Sequence, residues 1–188
     1  MPLSAADLIG YTDRALDADL ARWFPDAPPV DVPAETRPVA AFLERLAPTD
    51  AAALAALDRR VRSGELPQFL DMYDWSYGFD FAGNDCNILD SDYETELSDD
   101  DVYPIGADGG GNLYVVLANG QVAVWFHEEE VIEAETRFDN LDVFLWSFVR
   151  YGAVRAGVLT RDAVEADFHA LGQDGALNPN LGLLRYMK

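Results

Sequence analysis

The spacing of apolar positions along the chain changes period near residue 70. Before it, Leu8, Tyr11, Ala15, Leu16 and Leu20 recur near helical spacing behind Ser4, a plausible N-cap, and predict a helix that ends at Phe24. The proline-rich stretch from Pro25 to Pro33 cannot continue it. A second short helix is predicted over 35–47. A third is predicted over 48–64, with Thr49 or Asp50 as cap, arginines in its last turn and Gly64 just beyond. After that, Tyr73, Trp75, Tyr77, Phe79 and Phe81 occupy every second position with Asp74, Ser76, Gly78 and Asp80 between them. That alternation predicts a half-buried strand with an aromatic face. Residues 84–101 are expected to form a short strand and then an acidic loop ending near Val102.

The runs LYVVLA and QVAVWF flank Asn119-Gly120, a strong signal for a two-residue hairpin turn. Such a turn would set Ala118 opposite Gln121, Val116 opposite Ala123 and Tyr114 opposite Trp125. Glu128 to Glu135 reads as a short edge strand. Asp139 or Asn140 caps a helix whose apolar stripe is Leu141, Phe144, Leu145, Phe148 and Val149. Thr160 caps the last one. The expected architecture is α+β: a mostly antiparallel central sheet of about five to six strands with helices packed around it. One domain spans 1–188, with 1–64 a helical N-terminal portion and 70–171 the sheet-and-helix core.

Gly109, Gly110 and Gly111 raise the question of a phosphate loop. Such loops follow a strand and open a helix, so that amide N–H groups and the helix N-terminus face the anion. Here strand-like sequence follows, and no lysine stands nearby. The glycines are read as a turn that launches a hairpin.

Charge adds what periodicity cannot. The net charge is −21, and it is unevenly placed. From Ser63 to Thr136 there is no lysine or arginine, while eighteen of the 34 acids lie there; the flanks, with all thirteen basic residues, come to only −3. Such a chain is repelled by nucleic acid and by anionic membranes, and it suits a basic protein partner. The candidate contact residues are Asp71, Asp74, Asp80, Asp85, Asp90, Asp92, Glu94, Glu96, Asp99, Asp100, Asp101, Glu128 and Glu129. The alternative is a solvated surface that serves solubility.

Other chemistry is weakly signalled. Asp90, Asp92, Glu94, Glu96, Ser98 and Asp101 match the ligand spacing of a twelve-residue calcium loop, but Thr95 stands where the sharp turn needs glycine. The window is read as a solvated acidic loop. His127 could act as a base, yet it and His169 are better read as structural. One cysteine, Cys86, and two histidines do not supply the usual zinc ligand set. No cofactor and no catalytic residues are expected. The opening MPLSAADLIG lacks the basic and apolar regions of a secretory signal, and the lone cysteine fits a reducing compartment, so a cytoplasmic location is expected.

The stretch Val102 to Glu130, followed by FDNLDVFLWSFV, resembles the SUKH superfamily, which includes bacterial immunity proteins and the yeast cell-wall-assembly regulator. The resemblance rests on Pro104-Ile105-Gly106, Gly111-Asn112, Val122 through Trp125, His127-Glu128 and the helix around Phe144-Leu145. It implies a mixed sheet-and-helix domain that binds without catalysis. For the bacterial members it implies neutralisation of a cognate toxin, often a nuclease and therefore basic. A non-catalytic intracellular scaffold of the same family is the alternative, and a calcium-binding module a more distant one.

Overall fold

The computed structural model describes residues 39–63, 79–80, 102–108, 110–155 and 157–179. In chain order these form α1 (Ala40–Leu43), α2 (Pro48–Ser63), β1 (Phe79–Asp80), β2 (Val102–Asp108), β3 (Leu113–Leu117), β4 (Val122–Phe126), β5 (Val131–Phe138), α3 (Leu141–Arg155), α4 (Arg161–Ala170) and a closing 3-10 turn (Asp174–Leu177). The five strands make one antiparallel sheet in the order β1-β2-β3-β4-β5. The expected α+β class, with helices preceding the sheet, is what the chain adopts. The first predicted helix, most of the aromatic alternation, Cys86 and the calcium-like window lie outside the described residues. Phe79 and Asp80, from that alternation, are strand residues.

Alternation sorts the strands into two buried faces. Tyr103, Ile105, Tyr114, Val116, Val122 and Val124 face one cluster together with the helices. Val102, Leu113, Val115, Ala123 and Trp125 form a second cluster on the opposite face. This division depends on a register one residue away from the one the Asn-Gly signal predicts. The observed partners are Leu113 with Trp125, Tyr114 with Val124, Val115 with Ala123 and Val116 with Val122. The loop is therefore three residues long. Leu117 N–H donates to Gln121 O at 2.8 Å, and Gly120 N–H donates to Leu117 O at 2.8 Å. Gly120 alone in the turn has positive φ, +85°, which is the geometry of a type I turn closed by a left-handed residue. The two-residue register would have put Tyr114 opposite Trp125, although these rings belong to opposite faces of the sheet. Packing on both faces overrides the local turn preference.

Pro104 sits inside β2, where a proline cannot donate to the ladder. The strand tolerates it through a bulge. Pairing with β3 shifts between Pro104 and Gly106, leaving Ile105 as the extra residue. β5 also departs from expectation. It starts at Val131 rather than Glu128 and runs to Phe138. Three consecutive glutamates form a turn instead, closed by Glu130 with φ +57°. Helix α2 begins one residue before its predicted cap, with Pro48 in its first turn, a position that does not need an amide donor. Among the described residues of the second predicted segment, 39–47, the α-helix spans Ala40–Leu43.

Helix α3 is the centre of the fold. Asn140 caps it, its Oδ1 accepting from Val143 N at 2.9 Å. Every residue from Val143 to Ala153 is buried, well beyond the five-residue stripe. Phe144 lies 5.2 Å from Phe138, 5.6 Å from Tyr114 and 5.9 Å from Phe148 between ring centroids. Trp146 meets Phe168 of α4 edge-on at 4.7 Å, and Tyr151 stacks on the same ring at 5.7 Å. The Tyr151 hydroxyl donates to Ala176 O, which ties the 3-10 turn to the core. Arg150 is accommodated in this interior with its guanidinium 4.4 Å from the Trp146 ring centre. Thr160 caps α4 as expected, accepting from Ala163 N at 3.4 Å.

Phe144 joins sheet and helix, so its truncation leaves a cavity at their junction. Phe144→Ala is expected to lower unfolding stability by about 3–5 kcal/mol. Urea denaturation followed by tryptophan fluorescence measures it, with the slope of the transition unchanged.

Candidate functional site

Antiparallel pairing fixes which turns share an end of the sheet. The β2–β3 turn and the β4–β5 turn lie at the same end. Asp80 of β1 pairs with Ala107 beside them. This end carries Asp80, Asp108, Glu128, Glu129 and Glu130, all from the cation-free part of the chain.

Asp108 organises the glycine turn. Its Oδ1 accepts from Gly110 N and from Asn112 N, both at 2.9 Å, and its Oδ2 accepts from Asn112 Nδ2 at 3.1 Å. The Gly110 and Asn112 amides are thus taken by the protein's own carboxylate, and the Gly111 amide donates to the Asp108 carbonyl at 3.1 Å. The turn reading of the glycines holds. Asp108 is consequently directed inward and is not part of the outer acidic rim.

Asn112 then reaches across to the other turn. Its Oδ1 accepts from His127 N at 3.3 Å and lies 3.1 Å from His127 Nδ1. Because Asn112 Nδ2 must face the Asp108 carboxylate, its oxygen must face the histidine. The network therefore assigns the ring proton to Nδ1, and in the neutral ring Nε2 is the acceptor. The imidazole also lies flat against Gly111. A Cβ at Gly111, where φ is +94°, would come within 3.1 Å of the ring. His127 thus joins the two turns through Asn112 and Gly111.

That link holds the glutamates in place. Glu128 and Glu129 are exposed, and Glu130 is half-buried. In the C-terminal flank Arg161 pairs with Glu165, and His169 Nδ1 contacts Asp174. Three successive glutamates concentrate negative charge on this one turn. Of the thirteen candidate contact residues, Asp80, Glu128 and Glu129 fall within the described residues and at this one end. Asp71, Asp74, Asp85, Asp90, Asp92, Glu94, Glu96, Asp99, Asp100 and Asp101 lie outside the described residues.

The opposite end of the sheet has a different character. There Asn119 Nδ2 donates to Gln121 Oε1 at 3.0 Å, and Arg137 Nη1 donates to the same oxygen at 3.2 Å. Asp50 of α2 sits against Gly120, where an added Cβ would come within 2.6 Å of Asp50 Cγ. Burial, with Asp50 adding to it, pushes the Asp142 carboxyl up to about 6.

No cluster of three or more histidine, cysteine or carboxylate side chains suited to a metal ion occurs among the described residues. No protein-family model, no curated protein and no solved structure matches this chain.

The Asn112 side chain makes three partly buried polar contacts, so Asn112→Ala is expected to cost about 1–2 kcal/mol of stability. It should also speed amide exchange across 127–130 more than across the centre of α3. Urea unfolding and exchange mass spectrometry test the two effects.

Proposed function

We propose that this chain is an immunity protein of the SUKH type, which binds and neutralises a basic toxin and catalyses nothing. The observation that carries the reading is the acidic end of the sheet. Glutamates are exposed there on a turn held by the Asp108–Asn112–His127 network, within a stretch that contains no cation. A toxin that acts on nucleic acid carries cationic groups where phosphates bind. Carboxylates held at a rigid edge would occupy those places and satisfy those groups with charge-assisted hydrogen bonds.

The mechanism follows from electrostatics at two ranges. At long range, the negative end attracts a cationic surface and raises the encounter rate. At contact, the partner's lysines and arginines pair with the exposed glutamates of the turn. The pre-set turn reduces the ordering cost of binding. Nucleic acid is disfavoured as a partner for the same electrostatic reason. No described helix is long and apolar enough to cross a membrane. A cytoplasmic site of action, where such a toxin would do its damage, belongs to this proposal.

Co-expression tests the biology. The product of an adjacent gene should arrest growth alone and be neutralised by this chain; absence of toxicity or of rescue from every neighbour contradicts the reading. With the toxin in hand, the association rate should fall at least tenfold as salt rises from roughly 50 to 300 mM. Glu128→Lys with Glu129→Lys should slow association and flatten that dependence, while unfolding stability changes by less than about 0.5 kcal/mol per site. Stopped-flow fluorescence measures the rates, and a salt-independent rate contradicts the mechanism.

A further inference from the structure

We propose that Asn119 is a latent site of spontaneous deamidation, and that Gln121 and Arg137 hold it unreactive in the folded chain. The chemistry belongs to the Asn-Gly pair at the tip of the β3–β4 hairpin. A deprotonated Gly120 nitrogen attacks Asn119 Cγ, the new C–N bond closes a succinimide ring, and Nδ2 leaves as ammonia. Water then adds to either ring carbonyl and opens the ring to an aspartyl or an isoaspartyl residue. The reaction needs only water and base, and Asn119 is exposed to both. A following glycine has no Cβ to hinder the attacking nitrogen.

Glycine at this position is fixed by the fold. Its φ of +85° is costly for any residue that carries a Cβ. The space is also taken. Gly120 is buried although it belongs to a hairpin turn, and Asp50, in the first turn of α2, is seated against it. A Cβ at Gly120 would come within 2.6 Å of Asp50 Cγ. Two independent constraints therefore keep a glycine behind Asn119, and protection has to come from the turn itself.

Three contacts supply it. Ring closure requires Asn119 Cβ and the Gly120 nitrogen to be eclipsed about the Asn119 Cα–C bond. The type I turn, in which Gly120 N–H donates to Leu117 O at 2.8 Å, holds them apart. The Asn119 carboxamide is held at both ends. Its Oδ1 accepts from Gln121 N and its Nδ2 donates to Gln121 Oε1, both at 3.0 Å. The Gln121 side chain is fixed in turn, because Arg137 Nη1 of β5 donates to the same Oε1 at 3.2 Å. Attack on Cγ thus requires the turn to open and the carboxamide to leave Gln121. Gln121 and Arg137 are positioning residues and take no part in the reaction.

The modification has a structural consequence. An isoaspartyl residue lengthens the main chain inside a three-residue loop whose ends are joined by Leu117 N–H donating to Gln121 O at 2.8 Å. That bond and the seat of Gly120 against Asp50 both depend on the length of the loop. The turn sits at the end of the sheet opposite Glu128–Glu130, so this inference and the toxin-binding reading stand or fall separately.

Peptide mass spectrometry of the whole chain after long incubation in mild alkali tests the site. Asn112 and Asn140, each followed by leucine, serve as internal references. Conversion at Asn119 should be at least about tenfold slower in the folded chain than in the same chain unfolded in urea, because reaction waits on local opening. Gln121→Ala should speed conversion at Asn119 several-fold while leaving amide exchange across α3 unchanged, which marks the effect as local. Gln121→Glu keeps an oxygen for Asn119 Nδ2 and for Arg137, and it should react as slowly as the parent. Three results overturn the proposal. The first is conversion at Asn119 that is absent in urea or as fast in the folded chain. The second is a Gln121→Ala chain that reacts no faster than the parent. The third is a Gln121→Glu chain that reacts as fast as Gln121→Ala.

Discussion

A stretch of chain with eighteen carboxylates and no lysine or arginine cannot neutralise itself. Its charges must either be exposed or be met by cations from elsewhere. Antiparallel pairing decides between these outcomes for the turns. The meander brings the β2–β3 and β4–β5 turns to one end, and the strands between them are apolar on both faces. The acids of that end are left at its edge. The functional reading of the molecule rests on this constraint.

The constraint has an effect only because the end is rigid. Helix α3, buried along almost its whole length, holds one face of the sheet through Phe144 and its aromatic neighbours. Asp108 accepts from the Gly110, Gly111 and Asn112 amides of the glycine turn, and Asn112 carries the fixation across to His127. Polar groups so used close the glycine-rich loop on its own carboxylate. The glutamates that follow His127 have no such internal employment among the described contacts.

Much of the fold was legible in the sequence, for physical reasons that also explain the errors. The α3 stripe, its cap and the apolar hairpin strands have strong periodic patterns, and each appears where the pattern puts it. The hairpin register was off by one residue, because the Asn-Gly pair favours one turn locally while burial on two faces demands another. The start of β5 was misplaced, because alternation cannot see that three adjacent glutamates avoid a ladder. For the site, the sign and bias of charge were legible, and so were Glu128 and Glu129 as surface acids. The inward turn of Asp108 was not legible, nor was the Asn112–His127 link, which spans fifteen residues and appears only once the register is fixed. The seat of the Asp50 carboxylate against Gly120 is further still from anything a linear pattern conveys, since it depends on a helix start meeting a turn.

The central claim, that cationic surfaces dock at one end of this sheet, can be tested without knowing the natural partner. Backbone amide NMR shifts can be recorded while a short polylysine peptide is added at low salt and then displaced by salt. The account predicts salt-reversible shifts concentrated at 108–112 and 127–131, with 118–121 little affected. Shifts centred on the 118–121 turn, or spread evenly over the described surface, would contradict it.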